Sequence, residues 1–186
     1  IPTYDDWVLT RTAVERVLET TGEDVAIYIV DNGSRRPVST VLSSVFAADD
    51  RVTVRRLPLN TDFALGCNVG ASDAARDTIV FLNNDTAVQE GWLDPLMKTL
   101  REDGNAAVQP LLLYGDRTVQ TAGTVFLGAM AMPKHLLADV PPLDIDPKLA
   151  DYEFSALTAA CVALRYDDVR SLGGFDTHYV NGMEDV

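Results

Sequence analysis

The alternation of short apolar runs with helix-like segments is the feature that most limits how this chain can fold. The runs VAIYIVD (25–31) and TIVFL (78–82) are rich in apolar and β-branched residues, as buried strands are. Between them and around them lie segments whose apolar residues recur at helical spacing, such as 38–46 after Pro37. This order predicts an α/β domain with a mostly parallel central sheet, right-handed crossovers and flanking helices.

The remaining elements follow from the same patterns and from turn residues. Further strands are predicted at 52–57 and 106–114, and 152–164 is predicted to be either a strand or a small-residue core segment. Further helices are predicted in the segment 5–24, with Gly22 as its stop, at 63–76, at 92–103, and in a short segment that ends at Gly173 and Gly174. The segment 133–148 contains four prolines and is predicted to be a long loop or a lid.

Charge and cysteine content narrow the possible functions. The 186 residues carry 15 basic and 28 acidic side chains, a net charge of −13, which argues against a general nucleic-acid surface. A bound cation or a helix N-terminus can still hold a phosphate group locally. Cys67 and Cys161 belong to no metal-binding pattern and are predicted to be buried free thiols. No apolar stretch approaches the roughly 18 residues that span a bilayer.

Two acids follow predicted strands directly, and each allows two interpretations. Asp31 ends VAIYIVD, and Asp85 follows Asn83 and Asn84 in FLNNDT (81–86). Asp and Asn are common turn residues, so both stretches fit an ordinary turn. Ligands of α/β sheets, however, gather beyond the carboxyl ends of the strands. Two acids at one such edge favour a ligand site, and an oxygen-rich group around Asp85 suits Mg²⁺ or Mn²⁺.

Other site chemistries find less support. His135 and His178 are isolated, which disfavours zinc, and the Gly-rich stretch 60–71 matches neither a phosphate-binding P-loop nor a dinucleotide fingerprint. Glu184 and Asp185 are either a solvated pair or a positioned acid able to deprotonate a hydroxyl.

Several motifs taken in order resemble one enzyme family. They are IPTY (1–4), DNGS (31–34), the N-x-x-F-A-x-G-x-N-x-G stretch at 60–70, FLNNDT, TAAC (158–161), LGGFD (172–176) and ED (184–185). The ordered set resembles the family-two inverting glycosyltransferases with the GT-A fold, especially their bacterial cell-surface polysaccharide and rhamnosyltransferase-like branch.

The resemblance implies a role for each matching residue. A donor nucleotide sugar would be bound by Pro2, Thr3, Tyr4, Asp31, Asn60, Phe63, Gly66, Asn68, Asn83 and Asn84. Asp85 would ligate Mg²⁺ or Mn²⁺ on the donor diphosphate. Asp185, with Glu184, would supply the general base. Thr158, Ala159 and Gly174 would lie on the acceptor side.

The same resemblance divides the chain and implies its partners. Residues 1–114 would be the donor-binding half, and 115–186 the acceptor-side half of a chain that we expect to continue beyond residue 186. UDP- or dTDP-sugars are favoured, because an Asp such as Asp31 suits an imide base. The acceptor would be a glycan or a lipid-linked glycan. We expect a cytoplasmic protein, with peripheral contact at the inner face of the membrane as a further option.

Two departures from the family pattern leave an alternative open. Asp62 stands where the family usually has Gly, and the first acid of its D-x-D motif is an amide here, Asn83. A non-catalytic module that binds nucleotide sugars therefore remains the second interpretation. A nucleotidyltransferase is disfavoured, because IPTYDD is not a Gly-rich basic loop.

Overall fold

The structure is a computed structural model that describes residues 1–22, 24–74, 76–146, 148 and 152–179. Its strands are β1 (Pro2–Thr3), β2 (Ile27–Asp31), β3 (Val52–Arg56), β4 (Thr78–Leu82), β5 (Ala107–Val108), β6 (Leu112–Leu113), β7 (Val119–Thr121), β8 (Thr124–Leu127), β9 (Met132–His135) and β10 (Cys161–Arg165). The α-helices are α1 (Trp7–Thr20), α2 (Val38–Val45), α3 (Asp62–Ala74), α4 (Leu93–Leu100) and α5 (Tyr166–Leu172), with a 3₁₀ turn at Pro142–Asp144.

The strands form two three-stranded sheets and two hairpin-like pairs. In the first sheet, β1, β2 and β3 are parallel, with β2 in the middle. In the second sheet, β10 lies antiparallel between β4 and β5. Because β10 comes from the second half of the chain and its neighbours from the first, the two halves share one sheet.

The predicted α/β class is confirmed, and the differences have local causes. The strand predicted at 106–114 is divided into β5 and β6 around Pro110, which has no N–H for a ladder bond. The first helix ends before Gly22, because Thr21 already has extended backbone and its hydroxyl bonds the carbonyl of Val17. The antiparallel direction of β10 is the feature that strand patterns alone did not indicate.

The segment that was predicted as a long loop or a lid begins with a strand, so the loop prediction is wrong for residues 133–135, while 136–140 are turns and irregular chain. Strand β9 pairs with β8 over four residues. Beyond it, the Leu136 amide donates to the Gly123 carbonyl and the Asp139 amide to the Val119 carbonyl. These bonds tie the segment to β7 and its flanks. Two of its four prolines, at 141 and 142, lie just beyond these bonds, where the chain enters the 3₁₀ turn.

The apolar core lies on both sides of the sheets. One cluster joins α1 and α2 to the first sheet through side chains such as Val14, Ile29 and Leu42. Cys67 and Cys161 are both buried thiols, as predicted, and burial raises the pKa of Cys161 to about 12. Among the described residues, none of the helices combines the length and apolar composition that crossing a bilayer requires.

A clamp between α3 and the turn after α5 fixes Gly174 and Phe175. The Asn68 amide nitrogen donates to the Phe175 carbonyl (2.9 Å), and the Phe175 amide donates to Asn68 Oδ1 (2.8 Å). The Phe175 ring packs edge-on against Phe81 and Phe63. Gly174 has φ +81° and no room for a Cβ beside Asn68. The GGF turn is therefore fixed onto α3 by the Asn68 side chain and the Phe63 ring, and onto β4 by the Phe81 ring.

Replacing Asn68 should loosen this clamp. Asn68→Ala removes both hydrogen bonds and leaves the Phe175 backbone groups unpaired, so we expect a loss of about 1–3 kcal/mol in the free energy of unfolding. Urea unfolding measures it, with Ser72→Ala at an exposed position of the same helix as the control. Equal stability of the two variants would show that the clamp contributes nothing.

Candidate functional site

The loops after β1, β2 and β4 meet at one edge of the fold. The backbone N–H of Asn32 donates to the Thr3 carbonyl (2.8 Å), which joins the first two loops. The Asn84 side-chain nitrogen lies 3.4 Å from Thr3 Oγ1 and 3.1 Å from Thr10 Oγ1, which joins the third loop to the first. The sequence-predicted residues Thr3 and Asn84 are thus brought together.

Asn32 is the centre of a second group of contacts, and no sequence argument singled it out. Its side-chain oxygen accepts from both the backbone amide and the hydroxyl of Thr61 (2.9 Å each). Its nitrogen donates to Asn60 Oδ1 (3.0 Å) and to the Asp62 carbonyl (2.8 Å). Asn32 therefore fixes the loop before α3 against the end of β2. The DNGS motif (31–34) contains Asn32, but the sequence argument used only the preceding acid, Asp31.

Asp31 has a different environment from the one predicted. Its side chain is fully buried, and its oxygens accept from the Ser34 amide (2.9 Å), the Ser39 amide (3.1 Å) and the Arg56 guanidinium (2.9 Å). Burial raises the pKa of this carboxyl, but the hydrogen bonds from Ser34 and Ser39 outweigh burial and hold the pKa below its usual range. The carboxylate thus holds the loop that leads into α2 and has no exposed surface for a nucleotide base.

Asp85 is the exposed acid of this edge. Asn83 and Asn84 precede it and are half-buried. The backbone N–H of Asn83 donates to the Ala160 carbonyl (2.9 Å), and the Thr86 hydroxyl donates to the same oxygen (3.3 Å). Both ends of this turn are therefore fixed. Within the described ranges, no three His, Cys, Asp or Glu side chains are grouped as a metal cluster.

The side chains around Asp85 fit a hard divalent cation that would also bind the phosphates of a substrate. One carboxylate and neighbouring amides present oxygen, which Mg²⁺ and Mn²⁺ prefer over nitrogen or sulfur. Such ions commonly take one or two carboxylates and complete their shell with substrate phosphates and waters.

The loop after β1 is held by charge. The Asp5 carboxylate accepts from the Arg35 backbone and guanidinium (2.7 and 2.9 Å) and from the Arg36 backbone (3.1 Å). The Arg35 guanidinium also lies 5.7 Å from the centre of the exposed Tyr4 ring. Tyr4 therefore offers a flat apolar surface at the mouth of the site, while half-buried Pro2 lies further in, against α3.

The site residues predicted on helix α3 contact two different parts of the protein. Gly66 faces Asn32 and Pro2, whose nearest atoms lie 3.7–3.8 Å from where a Cβ would stand. Phe63 and Asn68 instead contact Phe175, so the structure uses them to hold the GGF turn. Asp62, at the start of the helix, has φ +62°, a backbone conformation that only Gly adopts freely. The structure thus explains why a glycine suits this position.

The predicted acceptor-side residues are separated. Thr158 donates its backbone N–H to Gln109 Oε1 (2.8 Å), and Ala160, two residues on, contacts the Asn83–Thr86 turn. The Ala159 side chain is buried in the core and lines no open surface. Gly174 belongs to the clamp with Asn68. Glu184 and Asp185 lie outside the described residues, so their roles stay predictions.

The family model "Glycosyl transferase family 2" matches residues 1–134. The chain belongs to glycosyl transferase family 2. The match includes the loops after β1, β2 and β4, which carry the site described above. Solved structures with the GT-A fold align with nearly the whole chain, so the predicted fold is confirmed.

Three named proteins are similar to this chain. The chain is 30% identical to the O-antigen biosynthesis protein RfbC of Myxococcus xanthus over 185 residues, which are 96% of this chain and 14% of RfbC. GalNAc-T7, solved with UDP, GalNAc and Mn²⁺, aligns with 99% of this chain and 37% of its own at TM-score 0.78 and 16% identity. The mannosyltransferase PcManGT of Pyrobaculum calidifontis, solved with GDP-Man and Mn²⁺, aligns with 99% and 48% at TM-score 0.71 and 15% identity. The chain thus spans less than half of each of these proteins.

The buried carboxylate of Asp31 should make stability depend on pH. Because its folded pKa is lowered, its contribution is complete above the unfolded value, about 3.9, and is lost as pH falls through the folded pKa. In Asp31→Asn an amide nitrogen faces groups that are themselves donors. The free energy of unfolding should therefore fall by about 1–3 kcal/mol near neutral pH. Urea unfolding of both proteins should show the gap narrowing below about pH 4. A gap that stays constant on acidification would contradict this assignment, and exposed Asp103→Asn is the control.

The backbone of residue 62 can be tested by a matched pair of variants. Asp62→Gly and Asp62→Ala both remove the carboxylate and differ by one Cβ. At φ +62° the Gly variant should be more stable than the Ala variant by about 1 kcal/mol or more. In an ordinary helical conformation the order reverses, because Ala is then favoured by about 0.5–1 kcal/mol. Thermal and urea unfolding give the sign directly.

Proposed function

We propose that this chain is the donor-binding part of a metal-dependent glycosyltransferase that uses nucleotide-diphosphate sugars and inverts the anomeric centre. The observation that carries the proposal is the meeting of the loops after β1, β2 and β4 around Thr3, Asn32 and Asn84, with Asp85 exposed beside them. Ligands of α/β sheets bind at such an edge. The family and the nucleotide-sugar complexes of GT-A proteins support the same reading.

The donor would lie with its diphosphate near Asp85 and its base toward the loop after β1. There the Tyr4 ring, held by Arg35, can stack on a base. The sequence-based preference for uracil or thymine depended on an open Asp31, and the buried carboxylate removes that reason. We therefore propose a nucleoside diphosphate without choosing the base.

A divalent cation, Mg²⁺ or Mn²⁺, fits Asp85 with the amides beside it and would stabilise the negative charge of the departing diphosphate. Asn83 and Asn84 would bind the donor through their amide groups. In the transfer, an acceptor hydroxyl oxygen forms a bond to the anomeric carbon as the bond to the diphosphate breaks. We assign the hydroxyl proton to Asp185, and the nucleoside diphosphate leaves with the electron pair.

The clamp at Asn68 and Phe175 supports this assignment of the base. It fixes residues 174–176 onto α3, the helix whose Gly66 packs on Pro2 and Asn32 of the donor loops. The chain that leads to Glu184 and Asp185 therefore starts from a point tied to the donor site.

We propose a glycan or lipid-linked glycan as the acceptor. The β8–β9 hairpin in the second half of the chain exposes Phe126, Leu127, Met130 and Met132, an apolar surface that suits the lipid part of such an acceptor. The O-antigen role in the name of the RfbC relative agrees with this class. A cytoplasmic location at the inner face of the membrane follows from the same proposal.

The alternative is a module that binds nucleotide sugars without turnover. It is favoured by the single carboxylate of the Asn83–Asp85 turn. The two proposals differ only in turnover, so one set of experiments separates them.

Two substitutions in the full-length protein should divide binding from chemistry. Asp85→Ala should weaken the Mn²⁺-dependent binding of UDP, dTDP or GDP by about tenfold or more, since a charged ligand of the cation is lost. Asp185→Asn should leave binding within about twofold and reduce transfer by about 100-fold or more, as removal of a general base does. Calorimetry and a sugar-transfer assay with lipid-linked acceptors measure the two effects.

The exposed Asp103→Ala serves as the control for both measurements. Transfer at the full rate in Asp185→Asn would exclude that residue as the base. Metal-dependent binding without transfer in the unchanged protein, across donors and acceptors, would favour the non-catalytic module.

A further inference from the structure

Thr10, a residue of α1 that lies outside every motif, is part of a buried polar group at the donor site. Its side chain is fully buried, and that of Thr3 nearly so. The Thr10 hydroxyl lies 2.6 Å from the Asp6 carbonyl and 2.6 Å from the Thr3 hydroxyl, which itself lies 3.2 Å from the Asp6 carbonyl. The third member is the Asn84 side-chain amide, 3.1 Å from Thr10 Oγ1 and 3.4 Å from Thr3 Oγ1.

Counting hydrogens decides which end of the Asn84 amide faces the hydroxyls. Two oxygen pairs approach to 2.6 Å, and such contacts are stable only when a hydrogen lies between the oxygens. The group has two hydroxyl hydrogens, one on each threonine. Thr10 donates to the Asp6 carbonyl and Thr3 donates to Thr10. Both hydrogens are then used, so the threonines can only accept from Asn84.

The amide nitrogen of Asn84 must therefore face inward, and its oxygen Oδ1 is directed away from the two hydroxyls. In the part of the chain that the structure describes, Asn84 Oδ1 has no hydrogen-bond donor paired with it. Asn84 is half-buried and precedes the exposed Asp85. An acceptor oxygen of fixed orientation thus stands beside the acid assigned to the cation.

We propose that Thr10 is a positioning residue, which holds the Asn84 amide so that Oδ1 accepts from the bound donor or ligates its cation. The proposal deepens the proposed function and rests on it for the identity of the ligand. The orientation of Asn84 by Thr10 is a property of the protein alone and is tested without a ligand.

The same hydrogen count gives an unexpected consequence for the metal motif. A carboxylate at position 84 has no hydrogen to donate, and neither threonine has one to spare. Asn84→Asp should therefore place negative charge against hydroxyl oxygens and weaken the site, although it adds a second acid beside Asp85. Asn83→Asp adds the same charge one residue earlier and is the control for stability alone, because the contact made by Asn83 uses its backbone N–H and its side chain is assigned to the donor.

The first experiment observes the Asn84 amide directly in the full-length protein labelled with ¹⁵N-asparagine. Asn84→Ala identifies the Asn84 NH₂ signals by their disappearance. In the unchanged protein these signals should show slow exchange with water. They should shift and exchange at least about tenfold faster in Thr10→Val, and remain protected in Thr10→Ser, which keeps the hydroxyl. Unchanged signals in a folded Thr10→Val, or rapid exchange in the unchanged protein, would overturn the proposal.

The second experiment measures binding of UDP, dTDP or GDP with Mn²⁺. Thr10→Val should weaken binding by about 3- to 10-fold and Thr10→Ser by less than about twofold, as expected for one positioned hydrogen bond. In an Asn84→Ala background, the further effect of Thr10→Val should disappear. A full additional loss in that background would show that Thr10 acts through something other than Asn84.

Asn84→Asp keeps the proposal testable where Thr10→Val does not fold. It should lower Mn²⁺-dependent binding relative to the unchanged protein and the melting temperature relative to Asn83→Asp, and binding tighter than that of the unchanged protein would overturn the proposal. If the unchanged protein binds no nucleoside diphosphate with Mn²⁺, the proposed function fails, while the amide signals still decide the role of Thr10.

Discussion

Side-chain hydrogen bonds between loops, made mostly by amides and hydroxyls, are the interaction on which the candidate site depends. Strands β1 and β4, whose loops form much of the site, belong to different three-stranded sheets. Asn84 joins these loops through Thr3 and Thr10, and Asn32 joins the end of β2 to the loop before α3. The geometry of the site is therefore set by a few short polar side chains that bond one another across the loops, and Asn84 keeps its side-chain oxygen for a ligand.

This arrangement also divides the acids of the site by task. The Asp31 carboxylate is hydrogen-bonded inside the protein to Ser34, Ser39 and Arg56. The Asp5 carboxylate accepts hydrogen bonds from the backbone of Arg35 and Arg36. Asp85 remains exposed. In a chain with a net charge of −13, a diphosphate requires local compensation of charge, and a cation at Asp85 provides it where the loops already converge.

The sequence predicted the fold class and the important loops, but it did not predict what each side chain does there. Strand ends could be read from apolar runs such as TIVFL, because burial on both faces leaves a continuous pattern. The roles of Asp31 and Asn68 could not be predicted from the sequence, because turns and ligand sites use the same residue types. No sequence pattern pointed to Thr10, since its two side-chain partners, Thr3 and Asn84, lie 7 and 74 positions away along the chain. The antiparallel strand β10 was hidden for a similar reason, because an apolar run carries no information about direction.

The position of a bound Mn²⁺ tests the central claim most directly. Crystals of the protein grown with MnCl₂ and a nucleoside diphosphate would locate the ion by its anomalous scattering. The account predicts one strong peak within bonding distance, about 2.0–2.3 Å, of an Asp85 oxygen and of the diphosphate, with Asn84 Oδ1 on the ligand side. A diphosphate bound with its Mn²⁺ at other acids, or an Asn84 amide whose nitrogen faces the ligand, would contradict it.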